Sequence, residues 1–340
     1  MQHCVHGHSK VPCFFIFGDS LSDVGNNNHL NTLSKSNYKP FGIDFPTGPT
    51  GRYTDNRTGA DIITELLGFS KFIPPYANTT DSNILKGVNY ASGGAGIHVE
   101  TGSKFGEHIS LGQQIANHRV IVYQIAHKLG GLHKAIQYLT KCLYYVNMGT
   151  NDYEVNYFLP NSTTRRFYTP KQYAENLISY YSIYLQELRH LGARKYVLNG
   201  LSPLGCIPIA ISTHGRRGCC VGKQNIAASI FNDKLKSLVK RSNIKYSADS
   251  KFIYVNIYAI FQTFGKSNGF TDTTTPCCPS NANGFCIPNQ TPCKNRDQYV
   301  YYDGIHASDA ANRLIAINSY NASNPSYTYP MDIKHLIQSC

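Results

Sequence analysis

A three-layer α/β sandwich, with helices on both faces of a mainly parallel sheet, is the fold class this sequence predicts. Two observations lead there. Short runs of continuous apolar residues recur along the chain, as in strands buried on both faces. Between them lie longer stretches with apolar residues at helical spacing, and strands that alternate with helices imply right-handed βαβ units.

The first run, Cys13-Phe-Phe-Ile-Phe17, stops at Gly18-Asp19-Ser20. Others follow at Val88 to Ala91, Leu143 to Met148, Tyr196 to Leu198 and Phe252 to Ile257. Ser110-Leu-Gly-Gln113 has the spacing of a capping box and opens a helix that runs toward Gly130-Gly131. Thr169 and Pro170 supply an N-cap and a first-turn proline to a second helix. Gly192 ends it after Leu177, Ile178, Tyr181, Leu185 and Leu188. A third helix is expected over Asn225 to Lys240, with Ile226, Ile230, Leu235 and Val239 on one face. Residues 38–59 and 267–298 are rich in turn formers and read as long loops, the second pinned by disulfides. No linker divides the chain, so the expected layout is a tail over 1–12, one domain over 13–320 and a C-terminal tail over 321–340.

Hydrophobic residues make up 41% of the 340 and charged residues 15%, which supplies a core and argues against disorder. No run approaches the ~18 apolar residues of a transmembrane helix. The net charge of +12 comes from cations scattered in short clusters, none of them a nucleic-acid motif, so it reads as a solvated basic surface.

Eleven cysteines are many for a cytosolic enzyme. Cys219, Cys220, Cys277, Cys278, Cys286 and Cys293 fall in loop-like regions and suit disulfides in an oxidising compartment. No C-x-x-C is present, which leaves zinc-ribbon and thioredoxin-type sites without support. Sequons at Asn56, Asn78, Asn161, Asn289 and Asn321 point the same way, to a secreted glycoprotein. The N-terminus lacks the apolar core of a signal peptide, so the signal is expected to be absent from this chain. The cluster His3, Cys4, His6 and His8 reads as a frayed tail rather than a metal site.

In open α/β sheets, ligands bind outside the carboxyl ends of the strands. Four polar motifs fall there: Gly18-Asp19-Ser20-Leu21-Ser22-Asp23, Ser92-Gly93-Gly94-Ala95-Gly96, Gly149-Thr150-Asn151-Asp152 and Asp303-Gly-Ile-His306. Together they hold a serine, backbone donors, an amide and an Asp/His pair, the parts needed for acyl transfer. At these residues, and at Gly25-Asn26-Asn27-Asn28, Phe45-Pro-Thr-Gly-Pro-Thr-Gly-Arg52 and Pro203-Leu-Gly-Cys-Ile-Pro208, the chain resembles the plant GDSL lipase/esterase family of the SGNH hydrolase superfamily. The likeness covers about residues 12–320. It implies a flavodoxin-like sandwich with about five parallel strands. Ser20 would then be the nucleophile, His306 its general base and Asp303 the orienter of that base. The oxyanion hole would comprise the N–H groups of Ser20 and Gly94 and the Asn151 side chain. The expected protein is a monomer that needs neither cofactor nor metal and acts on a small-molecule, lipid or polysaccharide ester.

Asp19, Asp23 and Asp152 read as loop-capping groups, and Asn26 to Asn28 as residues that knit the loop over the site. The chain departs from the family twice. Ala307-Ser308-Asp309 stands where Pro-Thr-Glu is usual, and Tyr301-Tyr302 where Phe-Trp is common; neither change removes a triad member. Rival motifs fail at single positions. Ser22 breaks the G-x-S-x-G elbow of α/β-hydrolases, Ile260 the P-loop and Val99 the dinucleotide fingerprint. An acyltransferase with the same triad, or a catalytically silent wall- or glycan-binding relative, are the alternative functions.

Overall fold

The computed structural model describes residues 9–216 and 218–339. The His3, Cys4, His6 and His8 cluster therefore lies outside the described residues. Seven strands are present among them: β1 (Phe14–Gly18), β2 (Leu143–Asn147), β3 (Lys195–Asn199), β4 (Lys251–Val255), β5 (Asp272–Pro276), β6 (Tyr299–Tyr301) and β7 (Thr328–Tyr329). The main sheet runs β1-β2-β3-β4-β7, with the first four parallel and β7 antiparallel to β4. Residues 88–92 run along the free edge of β1 in the hydrogen-bond pattern of a parallel strand. Ile16 N–H donates to Val88 (3.1 Å), Tyr90 N–H to Ile16 (2.8 Å) and Ser92 N–H to Gly18 (3.1 Å). Counted as the second strand in the chain, this strip gives the order 2-1-3-4-5 of a flavodoxin-like sandwich.

The principal helices are α1 (Gly59–Leu66), α2 (Leu111–Leu129), α3 (Pro170–His190), α4 (Gly222–Lys245), α5 (Asp309–Tyr320) and α6 (Ile333–Gln338). Strand residues alternate between faces. Phe15, Phe17, Tyr144, Val146, Tyr196, Leu198 and Phe252 pack against α2, α3 and α4. Phe14, Ile16, Leu143, Tyr145, Val197, Ile253 and Val255 pack against α1, α5 and α6. Both faces are therefore covered, which is why the strands read as unbroken apolar runs. The Ser110/Gln113 and Thr169/Gln172 capping boxes form, and left-handed Gly130 closes α2.

Several expectations need correction. Residues 321–339 are not a free tail: β7 extends the sheet, and Ile333 and Leu336 of α6 are fully buried over Val197 and Val255. With the strip of residues 88–92 counted, the sheet holds the five parallel strands expected, and β7 adds a short antiparallel edge beyond β4. The Asp303–His306 motif follows β6, which lies outside the main sheet and pairs with β5. The third helix is longer than expected, and Ile226 faces solvent because Ala227, Ala228, Phe231, Leu235 and Val239 form the buried stripe.

Among the described residues four disulfides are present: Cys13–Cys142, Cys206–Cys220, Cys277–Cys293 and Cys278–Cys286. Cys219, expected to pair, is free and exposed. Its neighbour Cys220 takes the bond, because Val221 N–H donates to Gly205 (2.7 Å) and draws residue 220 alongside Cys206. Cys13 and Cys142 flank β1 and β2 and tie the two strands at their entry ends.

Candidate active site

Gly18 ends β1 under tight constraint. A Cβ there would stand 2.9 Å from the Asn147 carbonyl oxygen of the next strand, so only glycine allows the strands to close at this end. The buried Gln114 amide of α2 grips the same residue, accepting from Gly18 N–H (3.0 Å) and donating to its carbonyl (2.8 Å). The chain then makes one helical turn, with Ser22 and Asp23 N–H donating to the Asp19 carbonyl at 3.1 and 3.0 Å. Ser20 sits on this turn, immediately beyond the strand.

Asp23 fixes the turn to the next loop. Its Oδ1 accepts from Gly25 and Asn26 N–H, both at 2.8 Å, and its Oδ2 from Gly93 N–H at 2.9 Å. Burial pushes its carboxyl up to about 6 against the pull of those donors. Asn26 donates to the Asn89 and Ala91 carbonyls and Asn27 to those of Ser34 and Gly93, so the asparagine run does knit these loops together. Gly94 has φ +84°, a left-handed conformation that favours glycine. Asp152 ties the third motif to the second. Its carboxylate accepts from Ile97 N–H (2.8 Å), His98 N–H (3.2 Å) and Thr101 Oγ1 (2.8 Å). Next to it, Asn151 donates from Nδ2 to the Ala95 carbonyl (2.9 Å) and has a second amide hydrogen to offer. Among the described residues no acceptor lies on the N–H of Ser20 or of Gly94.

The fourth motif reaches across 286 residues of sequence. His306 Nε2 lies 2.7 Å from Ser20 Oγ, and its Nδ1 lies 2.8 and 2.9 Å from the two oxygens of Asp303. Asp303 is held in turn, because its Oδ1 accepts from the N–H groups of Ile305 (2.8 Å) and His306 (2.7 Å). Both residues are buried, with Asp303 at 0% and His306 at 2% exposure. Aromatic rings fix the imidazole plane: Tyr53 stands 4.8 Å away, and Phe285 lies nearly parallel to it at 6.1 Å. Phe285 comes from the loop that Cys278–Cys286 and Cys277–Cys293 pin down.

Three supports were not foreseen: Gln114, Tyr53 and Phe285. Each acts through a tertiary contact that local sequence does not encode, Gln114 on Gly18 and the two rings on His306. The departures after His306 carry local duties. Ser308 caps α5 by accepting from Ala311 N–H (3.2 Å) and donates to the Tyr299 carbonyl (2.6 Å). Asp309 takes a two-oxygen grip on Arg57, with Nε and Nη2 each at 2.9 Å. Asp19 has one unusual feature. Its Oδ1 accepts from Leu21 N–H (3.0 Å), but its buried Oδ2 has no partner, and burial pushes the carboxyl up to about 7.

This Ser/His/Asp chain, with unengaged backbone donors on Ser20 and Gly94, has the composition of a site for acyl transfer. The family model for GDSL-like lipase/acylhydrolase matches residues 14–318. The chain belongs to that family. Two GDSL esterase/lipases of Arabidopsis thaliana are 46% and 47% identical to it, over 98% and 97% of this chain and 93% and 92% of their own. A third from the same plant is 44% identical over 97% of this chain and 93% of its own length. This GDSL protein is a carboxylic ester hydrolase. No helix among its described residues is long and apolar enough to cross a membrane. Four of the five sequon asparagines, Asn78, Asn161, Asn289 and Asn321, are exposed, and Asn56 is half-buried.

Proposed function

We propose that the chain cleaves esters through a covalent acyl-enzyme on Ser20. His306 Nε2 takes the hydroxyl proton as Ser20 Oγ attacks the ester carbonyl carbon, and the carbonyl π pair moves onto oxygen. The oxyanion is held by the N–H groups of Ser20 and Gly94 and by Asn151. Collapse breaks the bond to the alcohol, which leaves with the proton from His306. Water then repeats the sequence and returns Ser20. Asp303 holds the imidazole in the tautomer with its proton on Nδ1, so that Nε2 is an acceptor when Ser20 needs one. The observation that carries this reading is the pair of contacts on one ring, Ser20 at 2.7 Å and Asp303 at 2.8 Å.

The four disulfides are consistent with an extracellular protein, and secretion with glycosylation at the exposed sequons extends that reading. The reaction is tested by turnover of p-nitrophenyl esters. Wild type should hydrolyse them, and Ser20→Ala, folded by circular dichroism, should not. A folded Ser20→Ala protein with wild-type turnover contradicts the mechanism.

A further inference from the structure

Among the five sequon asparagines Asn56 alone is half-buried, and its chain neighbours are tied down. Asp55 is buried, and its Oδ1 accepts from Asp309 N–H (2.8 Å) and Thr54 Oγ1 (3.0 Å). Arg57 donates its N–H and two guanidinium nitrogens to Asp309, and its carbonyl accepts from Asn312 Nδ2 (3.0 Å). Thr58 caps α1, its Oγ1 accepting from Asp61 N–H (3.1 Å). Between them the Asn56 side chain has no hydrogen-bond partner among the described residues, and it lines an open hollow of about 540 Å³. No apolar side chain lines that hollow. Arg313, Asn295 and Asp297 line it with side chains that have no partner among the described residues, so donors and acceptors both stand unused. Its four carboxylates are matched by Lys294, Arg296 and Arg313 and by Arg57, which grips Asp309, so the hollow is close to neutral.

We propose that Asn56 carries an N-linked glycan and that this hollow seats the first sugar, an N-acetylhexosamine. The proposal rests on the reading of the chain as a secreted glycoprotein and adds to it a site and a binding surface. The donor would be a polyprenyl-diphosphate-linked oligosaccharide. Asn56 Nδ2 forms the bond to C1 of the sugar, the C1–O bond to the diphosphate breaks with its electron pair, and the amide gives up one proton. Half-burial is no obstacle, because one wall of the hollow comes from residues 294–313, which are synthesised long after Asn56. Charge balance disfavours an anionic or cationic occupant, and unused donors and acceptors on several sides suit a neutral sugar with hydroxyls and an acetamido group. A free ligand gains little in a hollow without apolar surface, since pockets for free ligands are lined mostly by apolar groups. A tethered one needs less. Attachment at Asn56 makes seating intramolecular and removes most of the cost of association.

The test is release of glycan by a peptide N-glycosidase, which cuts between asparagine and the first sugar, on the full chain produced with a secretion signal in yeast. Heavy-oxygen water marks each released site, and peptide mapping reads them separately. Asn56 should be occupied, and native protein should lose its glycan there about tenfold more slowly than at occupied exposed sequons, because a seated sugar is open to the enzyme only in its unseated fraction. After denaturation and reduction the sites should react alike. Arg313→Ala should speed native release at Asn56 by about threefold or more and leave the other sites unchanged, and Asn295→Ala should act in the same direction. Both residues are exposed, so each substitution leaves the fold intact. Bare Asn56 beside occupied exposed sequons overturns the proposal while the glycoprotein reading stands. Native release at Asn56 as fast as elsewhere, or slow release that neither substitution changes, overturns the seating. Protein with no sequon occupied overturns both readings.

Discussion

Asp303→Asn isolates the role assigned to the carboxylate, and the structure determines how the amide must sit. Asp303 Oδ1 accepts two backbone N–H groups at 2.8 and 2.7 Å, and the side chain is fully buried. An asparagine that turned its NH₂ toward those donors would leave them unsatisfied, at about 1–3 kcal/mol each. It therefore keeps its oxygen there and presents NH₂ to His306 Nδ1. That nitrogen must then accept, which moves the imidazole proton to Nε2. Nε2 lies 2.7 Å from Ser20 Oγ, and as a donor it cannot take the hydroxyl proton. The corresponding change in the serine-protease triad lowers kcat by about 10⁴, equivalent to about 5 kcal/mol of barrier. The expected result on p-nitrophenyl acetate is a loss of that order in kcat, with KM changed by less than about threefold and the melting temperature close to wild type. Turnover within about tenfold of wild type would refute the assignment of Asp303 as the orienter of His306.

The remaining predictions concern other parts of the same structure. Asn151→Ala should lower kcat by about 10²–10³ and change KM much less, since its free amide hydrogen is wanted mainly in the transition state; a change in KM alone would make it a ground-state contact. Asp19 carries a raised carboxyl pKa of about 7, so the folded state keeps a proton that the unfolded chain releases near pH 4. Its stabilising share is complete below about pH 4 and is lost as pH rises through about 7. Asp19→Asn should therefore gain stability over wild type as pH rises from about 4 to 8, by at most about 4 kcal/mol in chemical denaturation, and a pH-independent difference would contradict this. Reduction should unfold the chain at lower denaturant, since the loop closed by Cys13–Cys142 contributes about 5 kcal/mol and each of the short loops about 3. Peptide mapping that finds Cys13 and Cys142 as free thiols would remove the largest of these contributions.

Much of this was legible in the sequence, and the failures have physical causes. β1 to β4 announce themselves because burial on both faces demands unbroken apolar runs, and α2 and α3 because their capping residues are in sequence order. Three of the polar motifs were found because each follows a strand of the main sheet or of its edge strip, where a sheet presents its ligand site, whereas the Asp303–His306 motif follows β6, outside that sheet. β7 and α6 were missed because a two-residue strand and a six-residue helix are shorter than any periodicity. The Cys13–Cys142 pair was invisible because parallel pairing joins residues 129 apart. Cys219 and Cys220 are indistinguishable in sequence, and the Val221–Gly205 hydrogen bond decides between them. Gln114 supports the site by hydrogen bonds to Gly18 and Tyr53 and Phe285 by ring contacts with His306, tertiary contacts that leave no local trace.

The account turns on Ser20 as the group that carries the acyl chain. The direct measurement is mass spectrometry of the protein after a fluorophosphonate, with the adduct mapped to a peptide. One adduct per chain on the Ser20 peptide is expected, matched by loss of ester turnover and absent from Ser20→Ala. An adduct on another residue that abolishes turnover, or a fully active protein that takes no label, would contradict it.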